Sequence, residues 1–171
     1  KSGRNQKFET PWREPKLFVI STIDENGKTN KITQPIYDGS FGDDETFELL
    51  RQYLENLELE KAESVQFLGD GAPWIWNRVL PMLLKLGVKK ENVIETLDYY
   101  HAAEHINDMK VYFDKDKQGA HFDEVKEALW QGDFIKLTQL VEQGITGVDL
   151  AEFGPFKYFE KQQNRLDYQA L

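Results

Sequence analysis

The chain has 171 residues, 40% hydrophobic and 13% aromatic, and carries 30 acidic against 21 basic side chains for a formal charge of −9. This is the composition of a folded globule, long enough for one good core with room for a helical appendage. With no cysteine, disulfides, thiolate zinc sites and cysteine nucleophiles are excluded. No apolar run reaches the length of a membrane span and no signal peptide precedes the first strand, so a cytoplasmic protein with no membrane partner is expected.

The acidic balance by itself argues against a protein that coats nucleic acid, because neutralising phosphate takes Lys and Arg. The charge is uneven, however. Residues 1–16 carry Lys1, Arg4, Lys7, Arg13 and Lys16 against Glu9 and Glu14, which reads as a phosphate-contacting arm or a loop. Residues 43–63 are strongly acidic and read as the solvated face of a helix.

In chain order, Lys16 to Asp24 is β-rich, Glu25-Asn26-Gly27-Lys28 is a turn, and Thr29 to Tyr37 pairs back as a hairpin that Asp38-Gly39-Ser40 ends. Asp43 or Asp44 then caps a helix with Phe47, Leu50, Leu54 and Leu57 on one stripe. A buried strand over 64–70 follows. Pro73 opens a helical stretch that Gly87 closes, and Pro81 inside it should kink or divide it. Asn92 to Leu97 is a further strand. From Tyr99 to about Gly144 the pattern is helical, through the His cluster, then Phe122, Val125 and Leu129, then Phe134, Leu137 and Val141. Gly154 and Pro155 break the tail before a polar helical run. The class is α/β. A hairpin followed by parallel crossovers is a ribonuclease H-like order, giving a mixed sheet (hairpin plus parallel strands) that lacks one strand at its front and is followed by an all-helical insertion. Residues 1–98 read as a partial catalytic core, and 99–171 as the helical insertion and tail.

The segment from Ser64 to Trp76 places Asp70 at the carboxyl end of a buried strand, where open α/β sheets hold ligands. Phosphoryl-transfer nucleases clamp the phosphate between divalent ions held by acids converging from strand ends, and Asp70 has the location for one such acid. The plainer reading is a carboxylate that caps the next helix, with Trp74 and Trp76 in the core. Asp98, His101 and His105 share one helical face. They read either as a zinc site or as a helix cap with hydrogen-bonded histidines beside it.

Together Pro11-Trp12-Arg13-Glu14-Pro15-Lys16, Tyr37-Asp38-Gly39, Gly69 to Trp76 and Asp98 to His105 resemble a bacterial insertion-sequence transposase of the DDE type. The chain is most similar to the group related to Mutator-like elements, which has a helical insertion after the second catalytic Asp. The resemblance covers nearly the whole chain. It implies DNA cleavage and strand transfer by Mg²⁺- or Mn²⁺-assisted phosphoryl transfer, with DNA (element ends and target) as partner and room for a homo-oligomer. It makes Asp70 the second metal-binding acid. The Asp-x-x-His motif, Asp98 and His101, lies beside the active site at the start of the insertion.

Two departures shape the expectation. The family's first acid lies on a strand before the Trp-Arg-Glu segment, and its third follows the insertion; neither has a counterpart here. Asp24, at the hairpin tip, is the stand-in nearest a strand end, while Glu142, Glu152 and Glu160 read as solvent-facing. The chain is therefore expected to be the central part of a catalytic domain, inactive alone. The alternatives are a non-enzymatic ribonuclease H-like binding module and, third, a small metal-dependent hydrolase using His101 and His105.

Overall fold

The computed structural model describes residues 14–24, 28–30 and 33–168. The turn residues 25–27, the basic residues Lys1, Arg4, Lys7 and Arg13, and Pro11 to Arg13 of the first motif lie outside the described residues. The chain divides into two compact units, Lys1–Leu57 and Glu58–Leu171. The boundary expected after Asp98 falls inside the second unit, where a strand passes directly into a helix.

In the first unit, β1 (Lys16–Ile20) pairs antiparallel with β2 (Ile36–Ser40), Phe18 opposite Asp38 and Val19 opposite Tyr37. The antiparallel pairing is as expected, but the first strand stops at Ile20 and the second lies over 36–40 in place of Thr29 to Tyr37, so Asp38-Gly39-Ser40 belongs to the strand instead of ending it. A strand carries that aspartate because its carboxylate is satisfied: Tyr53 donates its hydroxyl at 2.6 Å and the Gly39 N–H donates at 2.8 Å. These two bonds, the Tyr53 one foremost, hold the Asp38 carboxyl below the usual carboxylate range. Tyr53 lies on α1 (Asp43–Glu55), so the Tyr37-Asp38-Gly39 motif ties the helix to the hairpin.

Neither Asp43 nor Asp44 caps α1. Gly42 occupies the cap position, its carbonyl accepting from the Thr46 N–H and hydroxyl, while Asp43, Asp44 and Glu45 fill the first turn, where a negative charge suits the helix dipole. Leu50 and Leu54 are buried as expected, joined by Thr46, whereas Phe47 is half-buried and Leu57 exposed. The acidic face is solvated, with Arg51 bridging Glu48 and Glu55 and drawing the Glu48 carboxyl down to about 2.

The second unit opens with β3 (Val65–Gly69), α2 (Pro73–Lys85) and β4 (Val93–Leu97), and β3 and β4 pair in parallel with Gly69 opposite Leu97. Pro81, expected to kink or divide the stretch, does not divide it: α2 is one unbroken helix, and the proline's side lies exposed while Trp76, Val79, Met82 and Leu83 turn inward. It ends as its sequence dictates. Gly87 takes φ +88, its N–H bonds to the Leu84 carbonyl, and the Val88 N–H bonds to the Leu83 carbonyl, the paired closure that glycine permits.

The helices α3 (Tyr99–Met109), α4 (Ala120–Trp130), α5 (Phe134–Gly144) and α6 (Gly154–Gln162) complete the unit. Gly132, at φ +67, turns α4 into α5, and the Asp133 carboxylate caps α5 through the Lys136 N–H. Leu83, Leu97, Ile106, Met109, Phe122, Leu137, Phe156 and Phe159 form the interior. The tail is thus amphipathic instead of polar: Phe156, Phe159 and Gln162 of α6 are buried. The class is α/β, but the described residues form two separate two-stranded sheets, one antiparallel and one parallel, in place of the single mixed sheet expected. Each pair of five-residue strands closes its own ladder, the first through a hairpin and the second around α2. No described helix is long and apolar enough to cross a membrane.

Candidate functional site at the ends of the parallel strands

Asp70 follows β3 directly and its side chain is exposed. Its Oδ1 accepts from the Ala72 N–H at 2.8 Å, a short-range turn that precedes α2 without capping it, and its carbonyl accepts the Trp76 indole N–H at 2.7 Å. The buried Trp76 therefore fixes the loop that presents the carboxylate. Its ring meets Phe67 edge-on on one side and the Arg165 guanidinium, 4.3 Å from the ring centre, on another. Arg165 also reaches Glu95 on β4 at 3.3 Å and Gln162 at 3.1 Å.

Asp98 follows β4, and its N–H donates to the Gly69 carbonyl at 2.8 Å. The parallel register thereby continues past the strands and brings Asp70 and Asp98 to adjoining strand ends. Asp98 caps α3, its Oδ1 accepting from the His101 N–H at 2.9 Å. The capping reading holds for Asp98. One turn on, the His101 and His105 rings meet edge to face at 4.9 Å, and His105 stacks on Tyr158 of α6 with 3.9 Å between centres. Burial, and secondarily the neighbouring His101, lower the His105 pKa from its ordinary value.

Of the two readings of Asp98, His101 and His105, the zinc site is the one without support among the described residues. Asp98 spends an oxygen on its helix, the His105 face lies against Tyr158, and no group of three His, Asp or Glu side chains among the described residues converges as a metal cage. Asp24 stands in the first unit and closes its own hairpin tip, where its Oδ1 accepts from the Lys28 N–H at 3.0 Å. Glu142, Glu152 and Glu160 are exposed, as expected.

Sequence reasoning missed Tyr158, whose ring fills the space over Gly71: a Cβ on that glycine would lie 2.2 Å from the ring and 2.6 Å from the hydroxyl. The Tyr158 hydroxyl is buried with no hydrogen-bond partner among the described residues. Burial first, then the charges of Asp70 and Asp98, push its pKa up. The signal that could have found it is the Phe156/Phe159 spacing behind Pro155, which marks an amphipathic helix with an inward face.

As a donor set the strand ends offer hard oxygens, the Asp70 and Asp98 carboxylates, each with one oxygen committed to a backbone N–H. Mg²⁺ and Mn²⁺ prefer such donors, and Mg²⁺ commonly takes only one or two protein carboxylates, filling its shell with water and phosphate oxygens. The residues present fit a divalent ion of that kind. Compared with family models, with curated proteins and with solved structures, the chain matches none.

Proposed function

We propose that this chain is the central part of a DDE-type transposase catalytic domain, ribonuclease H-like in descent, cytoplasmic and bacterial, acting on DNA. The observation that carries the reading is the exposed Asp70 at the end of a parallel strand, held rigid by Trp76 and flanked by Asp98 at the next strand end. The motif order Asp-Gly-Ala-x-Trp-Ile-Trp followed by Asp-x-x-His supports it.

In this reading Asp70 holds a Mg²⁺ or Mn²⁺ ion with Asp98 as the adjoining wall. A bound divalent ion supplies charge stabilisation for in-line attack at a phosphodiester. The chain's own residues fix where that happens. Asp98 orders the start of α3, and the His101–His105–Tyr158 stack forms a rigid side to the loop bearing Asp70. With one of the three acids of such chemistry identified, the chain alone gives no strand-transfer product with Mg²⁺ or Mn²⁺. Calorimetric titration with Mn²⁺ tests the reading: binding is expected in the chain and lost in Asp70→Asn. Binding indifferent to that change, with no effect of Asp98→Asn either, overturns it.

A second reading, a non-enzymatic ribonuclease H-like binding module, is favoured by the charge of −9. It predicts partner binding that survives Asp70→Ala.

A further inference from the structure

Beside Asp70 the second unit carries a cleft of about 430 Å³ lined by Gly71, Pro73, Lys157, Tyr158, Lys161 and Arg165, among others. Lys157, Lys161 and Arg165 recur at every fourth position along α6 and the 3-10 turn Gln163–Arg165 that follows it, which sets three cations along one wall. In a chain with nine more acids than bases this alignment is against the grain of the composition. Arg165 is fixed in place by Trp76, Glu95 and Gln162. Among the described residues Lys157 pairs with the exposed Glu152 at 3.4 Å, a solvent-screened pair that a phosphate readily replaces. Lys161 is exposed and has no ion-pair partner among the described residues.

The rise of a helix puts Lys157 and Lys161 about 6 Å apart along its axis. A row of charges at that spacing suits a polymer of repeating negative charge better than one compact anion. Among the lining residues Gly154 brings backbone to the cleft with no side chain in the way, since nothing lies within 4 Å of a Cβ built on it. Gly71 belongs both to the cleft and to the loop that presents Asp70.

We propose that this cleft is a track for the sugar-phosphate backbone of a DNA strand, with Lys157 and Lys161 contacting phosphates and leading the strand to Asp70. The inference rests on the transposase reading for its choice of polymer, and it assigns to the tail helix the role of substrate wall. Anisotropy of a fluorescein-labelled DNA oligonucleotide with the full chain, titrated with salt, tests it. Lys157→Gln and Lys161→Gln should each weaken binding severalfold and each reduce the slope of log affinity against log salt by about 1. Lys115→Gln, the same charge change outside the cleft, should alter neither. Lys157→Arg and Lys161→Arg should keep both, which separates charge from packing.

If the chain binds no DNA, or binds it with a slope that neither glutamine variant moves, the track is overturned. Lysine-dependent DNA binding without Mn²⁺ binding at Asp70 keeps the track and removes the transposase reading. Mn²⁺ at Asp70 with lysine-independent DNA binding does the reverse.

Discussion

The Asp98 N–H donates to the carbonyl of Gly69 across 2.8 Å, one step beyond the last paired residues of two parallel strands. That single bond makes neighbours of two aspartates 28 positions apart in sequence, Asp70 and Asp98. Everything proposed for the site depends on that adjacency, and so do the experiments that separate its structural from its chemical roles.

Asp98 caps α3 through the His101 N–H. Removing a capping carboxylate costs about 1 kcal/mol, whereas Asn caps nearly as well. Asp98→Ala should therefore lower the melting temperature by about 2–4 °C, the shift per kcal/mol for a chain of this size, and Asp98→Asn should leave it almost unchanged. If Asn weakens Mn²⁺ binding without loss of stability, the carboxylate contributes charge to the site beyond its structural part. Thermal melts beside the Mn²⁺ titration make the distinction.

Gly71 has no room for a side chain. A Cβ there meets the Tyr158 ring at 2.2 Å, and the stacked His105 helps hold that ring in place. Overpacking of this kind costs about 1–3 kcal/mol, so Gly71→Ala should destabilise by that amount in urea unfolding. Tyr158→Phe alone should be neutral or slightly stabilising, because it removes a buried hydroxyl that has no partner among the described residues. Since that hydroxyl is one of the atoms the new methyl would meet, Gly71→Ala should cost less in the Tyr158→Phe background. Equal costs in both backgrounds would show that the ring carbons, which Phe keeps, carry the whole clash and the hydroxyl none of it.

His105 makes stability depend on pH. Burial, reinforced by His101, lowers its pKa from 6.5, with Asp108 and Glu104 opposing in smaller measure. The unfolded chain then binds a proton more readily than the folded one. Stability is undiminished above the unfolded value and falls as pH drops below 6.5 toward the folded pKa. Melting temperatures measured from pH 7.5 down to about 5.5 should decline in the unmodified chain, a window that the unfolded histidine value sets, and the decline should be shallower in His105→Gln. A slope that persists in that variant would assign the effect to another group.

Local grammar made much of the second unit legible. An apolar run, Asp-Gly, Pro at the first helical position and a closing glycine gave β3 and α2 within a residue or two, because each signal acts through its own neighbours. Asp70 and Asp98 were legible as strand-end acids for the same reason. What escaped was set by distant partners. Asp38 reads as the end of a strand, yet Tyr53, fifteen residues on, supplies the bond that keeps it inside one. Pro81 reads as a breaker, yet an otherwise strong amphipathic helix carries it on its exposed side. The tail looked polar because its lysines and glutamines outnumber the two phenylalanines that dock it, and so Tyr158, Lys157, Lys161 and Arg165 were not linked to the aspartates.

The central claim is that Asp70 and its neighbouring strand end hold a divalent ion. Paramagnetic broadening of backbone amide resonances by substoichiometric Mn²⁺ tests this directly, because it reports where the ion resides. Broadening centred on residues 70–72 and 98–101, abolished by Asp70→Asn, is the predicted result. Broadening confined to the acidic helix face around Glu48 and Glu55, or an unchanged pattern in Asp70→Asn, would contradict it.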